Sequence, residues 1–340
     1  MKSVTAVLTG GTIGSAVGAG GAFPDGGRSS ELRSQLERFF SDGDISVSFR
    51  YPWGEKGLDS SNLQPWHWID LTRLVVAELE GGAQGILLLH GTDTMAYTSA
   101  WLSLALGDVD RPVILTGSQL TLDSVPDDVT VNLRGAALVA ASSLPGVWVY
   151  FNWKLFRGDR AHKARALHPD AFVASGGSPL YFTPDRIGSF APVTAPSPWR
   201  RPRELDGLLL REEEVRALRG SLAWISAAPG LRPHFSGREK VLLVLGLGAG
   251  NASTLLIEEI DSFWQGREKP FVLACSLAEG DEKKPDVYDD VGLASLARRG
   301  FPLWSQGDYP LEMVHALAWF SLMGAPEDRA SVFSRYLRRL

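Results

Sequence analysis

Short, almost unbroken apolar runs alternate along the chain with longer stretches of helical period. Val4 to Leu8, Ile86 to Leu89, Val113 to Leu115 and Val147 to Phe151 read as short buried strands, because a strand covered on both faces loses its polar alternation. Between the first two, Ser30 to Phe40 and Pro65 to Leu79 read as amphipathic helices. Pro65 then stands in a first turn, where its missing N–H costs nothing. The alternation predicts an α/β fold, a parallel sheet with helices on both faces. After Thr183 the chain turns to Pro, Ser, Arg and Gly, with five prolines by residue 202 and little periodicity, which reads as a linker. Leu222 to Ile225, Val241 to Leu245 and Phe271 to Cys275 are again short apolar runs, the last two separated by a predicted helix from Ser253 to Trp264. The expected division is an N-terminal domain over 1–183, a linker over 184–205 and a smaller C-terminal α/β domain over 206–340. A chain of 340 residues also exceeds the usual size of one hydrophobic core.

Composition narrows the class. At 44% hydrophobic and 21% charged residues the chain reads as an ordinary soluble globular protein, and a formal net charge of -5 disfavours nucleic acid as a partner. Arg200, Arg201 and Arg203 form the densest basic cluster, too short for that role and suited to a solvated linker. The single cysteine, Cys275, excludes an intrachain disulfide and any multi-cysteine metal site, and its apolar surroundings suit a buried small hydrophobe. No apolar run approaches the roughly 18 residues of a membrane span. The N-terminus superficially resembles a secretory signal, but Thr9-Gly10-Gly11-Thr12 interrupts its apolar segment. A cytoplasmic protein is expected, with no membrane partner. Asp281, Glu282, Asp286, Asp289 and Asp290 are interleaved with Lys283 and Lys284 and read as a solvated loop rather than a metal site. Trp66 and Trp68 flank His67 and read as packing residues, with an aromatic ligand platform as the alternative.

Two threonine-bearing turns carry the candidate chemistry. Thr9-Gly10-Gly11-Thr12-Ile13-Gly14 follows the first predicted strand, and His90-Gly91-Thr92-Asp93-Thr94-Met95-Ala96-Tyr97-Thr98 follows the run ending at Leu89. The C-terminal ends of strands are where an open α/β sheet places its ligands. The glycine turn lacks the Gly-Lys-Ser/Thr ending of a phosphate loop and the spacing of a dinucleotide fingerprint. From Gly14 to Gly27, six of fourteen residues are glycine, which suits a lid. Thr12 is a candidate nucleophile with neighbouring N–H groups for an oxyanion. Asp93 and Lys163 are candidates for proton transfer, whereas His90 suits a structural role.

Together these segments resemble the bacterial-type L-asparaginase family, and specifically its cytoplasmic type I branch. The resemblance rests on Thr9 to Gly14, on Leu58-Asp59-Ser60-Ser61, on Leu89 to Thr98, on Pro112-Val113-Ile114-Leu115-Thr116-Gly117-Ser118-Gln119, and on Arg157-Gly158-Asp159-Arg160 before Lys163. They fall in family order and cover most of residues 1–175. The resemblance implies two α/β domains, the larger N-terminal one built on a mostly parallel sheet flanked by helices, with the site at that sheet's C-terminal edge. It implies that Thr12 attacks the side-chain carboxamide of L-asparagine, that an acyl-enzyme forms as ammonia leaves, and that water releases aspartate. Thr92, Asp93 and Lys163 then correspond to the second hydroxyl with its aspartate and lysine. Asp93 would also hold the substrate's α-ammonium and Ser60 its α-carboxylate, with Gly11, Ser61, Gly91 and Ser118 as further substrate contacts. No cofactor and no metal are implied. Gly248-Ala249-Gly250-Asn251 resembles a turn that in relatives approaches a neighbouring subunit's site, so Asn251 is the expected inter-subunit contact of a homodimer or homotetramer.

The sequence also departs from the family. Gly21-Ala22-Phe23-Pro24 stands where the lid usually carries a tyrosine, so a slower enzyme, a changed lid or a lost activity is expected. In the divergent C-terminal half, Glu279 or Asp286 is the suggested acidic contact. His162 occupies a position where allosterically controlled type I enzymes tend to have threonine, which argues against inherited control. Glutamine or another small amide would use the same mechanism, since one methylene changes recognition by only about 1–3 kcal/mol. The tRNA-dependent amidotransferase relatives carry an extra N-terminal domain and are the less favoured match. A catalytically silent amino-acid-binding homologue is the reading from a different class.

Overall fold

The predicted apolar runs become strands at the centre of a seven-stranded sheet, where both of their faces are covered. The computed structural model describes residues 2–18, 21–24, 26–41, 45–181, 211–278, 282–287 and 292–340, giving backbone alone at 16–18, 21–24 and 26. The chain divides into two compact units, Met1–Leu209 and Leu210–Leu340. The expected linker, 184–205, lies outside the described residues.

In the first unit, β1 (Lys2–Leu8) leads into a hairpin of β2 (Ser15–Gly18) and β3 (Gly21–Pro24), then α1 (Gly26–Ser41) and β4 (Ile45–Arg50). Then follow α2 (Pro65–Glu80), β5 (Gly85–Leu89), α3 (Met95–Leu106), β6 (Pro112–Thr116), α4 (Val129–Ala140) and β7 (Gly146–Phe151). Four short strands complete the unit: β8 (Lys154–Arg157), β9 (Ala161–Lys163), β10 (Phe172–Ala174) and β11 (Leu180–Tyr181). The main sheet has the order β11-β8-β7-β6-β5-β1-β4, parallel from β4 through β7 and antiparallel beyond. The chain passes from β1 to β4 on one side and then to β5 on the other. That reversal opens a crevice between the ends of β1 and β5, where Leu8 pairs with Leu89.

Helices cover both faces. Val4, Ala6 and Leu8 share one core with Leu87, Leu89 and Ile114, covered by Leu32 and Leu36 of α1 and Leu133 and Ala137 of α4. Elsewhere in the unit Trp68 of α2 stacks on Trp101 of α3, with ring centroids 5.5 Å apart. Trp101 Nε1 donates to the Thr72 hydroxyl at 2.9 Å, so both indoles are core groups with satisfied polar edges. His67 accepts the Gln64 N–H at 2.9 Å and closes the start of α2. Strand β4 carries no apolar run because it lies at the sheet's edge, half-covered and rich in serine. The glycine-rich stretch forms the β2–β3 hairpin, with Ala16 opposite Phe23 and Val17 opposite Ala22. The side chains of Ala22 and Phe23 lie outside the described residues.

The second unit holds β12 (Leu222–Ser226), β13 (Val241–Gly246), β14 (Phe271–Ser276), β15 (Leu303–Ser305) and β16 (Arg338–Arg339) in that spatial order, parallel except for the last pair. The helix Thr254–Trp264 starts at Ser253, whose hydroxyl accepts the Leu256 N–H. Cys275 is buried on β14, and burial pushes its thiol pKa up. In the segment 282–287, read from the sequence as part of a solvated loop, Glu282, Lys284, Asp286 and Val287 are exposed. Lys283 is 5% exposed, its N–H donates to Gly307 O, and its own carbonyl accepts the Ser305 hydroxyl. Backbone pairing docks the segment although its sequence is charged. Among the described residues no group of three or more acidic, His or Cys side chains is placed to hold a metal, and no helix is long and apolar enough to cross a membrane.

Candidate active site

The two threonine turns are pressed together by their glycines. A Cβ on Gly11 would lie 2.3 Å from Gly91 Cα, and one on Gly91 would lie 2.4 Å from Ser60 Oγ. Gly11 also has φ 94°, which side-chain-bearing residues rarely adopt. Thr12 and Thr92 therefore each follow a residue of one backbone-to-backbone seam, with Ser60 against it. Thr9 fixes the seam from the β1 side, since its N–H and hydroxyl both donate to Leu89 O at 3.0 and 2.9 Å. The Thr94 hydroxyl donates to Ser60 O at 2.9 Å and ties the third loop in.

His90 stiffens the β5 turn from behind. It is fully buried and its ring nitrogens lie 2.7 Å from Gly91 O and 3.0 Å from the Thr98 hydroxyl. A carbonyl can only accept, so Nδ1 carries the proton and Nε2 accepts from Thr98, which in turn accepts the Trp68 N–H at 3.2 Å. Burial lowers the His90 pKa to about 4, which keeps the ring neutral.

Thr92 is buried within a polar chain. Lys163 Nζ donates to Thr92 Oγ1 at 2.8 Å and to Asp93 Oδ1 at 2.6 Å. The Thr92 hydroxyl donates to Gln119 Oε1 at 3.0 Å. Gln119 is oriented by its other end, where Nε2 donates to the carbonyls of Ala166 at 2.9 Å and Arg165 at 3.2 Å, so Oε1 must face Thr92. Lys163 reaches this position from β9, whose preceding turn is held by a 2.9 Å bond from Ser99 of α3 to Gly158 O. The Asp93 side chain is 64% exposed and that of Lys163 15%, so the carboxylate faces solvent while the amine points inward.

The arrangement presents a hydroxyl with its proton and one lone pair already engaged, beside a second threonine. Thr12 is half-buried, and its hydroxyl has no hydrogen-bond partner among the described residues. The same holds for the buried Ser60 hydroxyl. Both are available to a ligand. Ser61 is exposed, and its N–H and hydroxyl both donate to Asp59 at 2.9 Å, while the buried Ser118 hydroxyl donates to Leu120 O at 2.6 Å. These two side chains serve their own turns. Asn251 belongs to the second unit, where its Oδ1 accepts the Ala252 N–H. Asp286 is paired there with Arg338 at 2.5 Å, and Glu279 lies outside the described residues.

Sequence reasoning did not single out Gln119, Asp128 or Asn132. Asp128 accepts the N–H groups of Gln119 and Leu120 at 2.9 and 3.0 Å, and burial holds its carboxyl above the usual range. Asn132 donates to Gly117 O at 3.0 Å. Gln119 closes a motif that was itself legible. Asp128 and Asn132 carry no local sign of their role, because it depends on how α4 docks.

Residues 3–188 match the family model described as asparaginase, N-terminal, more than half of the chain. The chain belongs to the asparaginase family. L-asparaginase 1 of Escherichia coli (strain K12) is 35% identical over 182 residues, 53% of this chain and 52% of that protein. A glutamyl-tRNA(Gln) amidotransferase component from Pyrococcus horikoshii is 30% identical over 189 residues, 53% of this chain and 42% of that protein. The chain thus spans about half the length of these two curated relatives. The solved structure of the thermostable L-asparaginase from Thermococcus kodakarensis has the same fold, with a TM-score of 0.74 at 24% identity, covering 97% of this chain and 96% of that one. All of the candidate catalytic residues of this asparaginase-family chain lie within the matched segment.

Proposed function

We propose that the protein is an amidohydrolase that converts L-asparagine to L-aspartate and ammonia through a threonine nucleophile. The observation that carries this reading is the Asp93–Lys163–Thr92–Gln119 chain of hydrogen bonds set beside the Gly11–Gly91 seam from which Thr12 emerges.

In this mechanism Thr12 Oγ1 attacks the side-chain carbonyl carbon. Its proton passes to Thr92 Oγ1 as the Thr92 hydroxyl turns from Gln119 and gives its own proton to Lys163, which accepts it in its neutral form, and the Asp93 carboxylate stabilises the ammonium so formed. Backbone N–H groups of the two glycine turns hold the oxyanion, an interaction whose loss costs roughly 3 kcal/mol per donor. The proton passes to the departing nitrogen, the C–N bond breaks and ammonia leaves an ester on Thr12. Water then attacks the ester carbonyl, and aspartate leaves with Thr12 reprotonated. Asp93 binds the α-ammonium through its exposed oxygens, and the Ser60 hydroxyl with the N–H groups beside the seam binds the α-carboxylate. Gly11, Gly91, Ser61 and Ser118 contribute backbone to this pocket. We further assign the protein to the cytoplasm as a homodimer or homotetramer, with Asn251 near a neighbour's site. Light scattering that gives the mass of one chain would refute the assembly.

The test is ammonia release from L-asparagine, L-glutamine and D-asparagine. Release from L-asparagine should fall at least about a thousandfold in Thr12→Ala and in Thr92→Val. Equal release by Thr12→Ala would remove the nucleophile. A second reading, a sensor that binds the amino acid without turnover, is favoured by the missing lid tyrosine at Gly21-Ala22-Phe23-Pro24. Calorimetric binding of asparagine with no ammonia would establish it.

A further inference from the structure

The connection between β9 and β10, residues 164–171, presents three carbonyls to one amide. Gln119 Nε2 lies 2.9 Å from Ala166 O, 3.2 Å from Arg165 O and 3.5 Å from His168 O. Asp170 holds that connection in shape. Its N–H donates to His168 Nδ1 at 3.0 Å, and its carbonyl accepts from the Arg165 guanidinium at 2.6 Å. Its carboxylate accepts Lys154 Nζ at 2.6 Å, in an ion pair whose lysine and aspartate side chains are 20% and 28% exposed. Burial alone would raise the Asp170 carboxyl pKa, but hydrogen bonds from Lys154 and then Asn152 hold it below the usual range, so it is ionised at neutral pH.

Lys154 opens β8 directly after a two-residue loop, Asn152-Trp153, bracketed by the pairing of Phe151 with Lys154. Both loop residues have positive φ, 47° and 62°. That form follows the twist of the two strands but usually takes glycine at its second place. A tryptophan there is strained and persists only where its surroundings over-determine it. One such constraint is the Asn152 N–H, which donates to Asn132 Oδ1 at 2.9 Å, while Asn132 Nδ2 donates to Gly117 O at 3.0 Å. The β7–β8 turn thus serves as a common reference for both ends of Gln119. Asn132 relates it to the backbone of the 117–120 segment, and Lys154 with Asp170 relates it to the side-chain amide.

A glutamine amide can present either its oxygen or its nitrogen to a hydroxyl. Carbonyls only accept, so the 164–171 connection draws the nitrogen and leaves the oxygen for the Thr92 hydroxyl, 3.0 Å away. We infer that the Lys154–Asp170 ion pair positions the Thr92 hydroxyl, acting through the β9–β10 connection and the Gln119 amide. Its effect on turnover rests on the hydrolysis proposed above. A partly exposed ion pair contributes little to stability, so its loss should register in turnover rather than in melting temperature.

Steady-state ammonia release and crystal structures of the same variants test the assignment. Lys154→Met and the isosteric Asp170→Asn should each lower kcat about tenfold, with KM and melting temperature little changed. Lys154→Arg, which keeps the charge, should stay within about twofold of the parent. In a Gln119→Leu background Lys154→Met should cost nothing further, because the route through the amide is already cut. The crystal structures need no turnover: in Lys154→Met the Gln119 Nε2 should leave the Ala166 and Arg165 carbonyls, and Thr92 should lose its bond to Oε1. A parent that releases no ammonia would refute the hydrolysis instead, and the crystal structures alone would then decide the positioning. The inference is overturned if Gln119 keeps those bonds in both Lys154→Met and Asp170→Asn, or if Lys154→Met slows the Gln119→Leu enzyme by the same factor as the parent.

Discussion

At the scale of single residues, the hydrolysis proposed above depends on two kinds of group: those that touch the substrate and those that aim them. Gln119 is of the second kind, a positioning residue whose Oε1 accepts a hydrogen bond from the Thr92 hydroxyl. Gln119→Leu should lower kcat about tenfold, the worth of one hydrogen bond of about 1.4 kcal/mol, with little change in KM. Steady-state ammonia release separates the two constants, and a change confined to KM would assign Gln119 to binding instead. Gly11 is the opposite case, a residue defined by the atoms it lacks. Gly11→Ala meets the Gly91 backbone at 2.3 Å and a positive φ, so it should cost at least about 3 kcal/mol in urea denaturation. A loss below about 1 kcal/mol would mean that the seam yields.

At the scale of elements, legibility followed the depth of burial. Strands β1, β5, β6 and β7 were readable because their two covered faces require apolar residues at every position, and α2 because Pro65 marks its start. Strand β4 was not, since an edge strand with polar residues looks like a loop until a neighbour supplies its hydrogen bonds. The same division runs through the site. Thr12, Thr92 and Asp93 stand out in the sequence as candidates from the turns that carry them, and Lys163 from the segment after Arg157-Gly158-Asp159-Arg160, but the contact between the turns was not legible, because it is made by glycines and backbone. Helix α4 shows what local pattern omits. Its Asp128 gathers the Gln119 and Leu120 N–H groups, and Asp128→Ala would leave both without that acceptor. The expected cost is about 2 kcal/mol of stability, with a parallel fall in kcat as Gln119 loses its register. Thermal denaturation and turnover of the same variant check both, and an unchanged kcat would uncouple α4 from the site.

At the scale of the whole molecule, stability should depend on pH through His90. Its folded pKa of about 4 lies below the ordinary 6.5, so the unfolded chain binds the extra proton first as pH falls. The contribution is intact above pH 6.5 and is lost progressively toward pH 4, about 2 kcal/mol by pH 5. Urea denaturation at pH 7 and pH 5 measures it, and His90→Gln should flatten the difference by that amount. The glycine seam has a consequence for how activity arises during folding. Gly11, Ser60, Gly91 and Lys163 come from segments separated by tens of residues, and no stretch of local structure brings any two of them together. Closing such distant loops is slow compared with forming helices. In a refolding experiment the return of ammonia release should therefore trail the helical circular dichroism signal, making catalysis a clock for the last long-range contacts rather than the first.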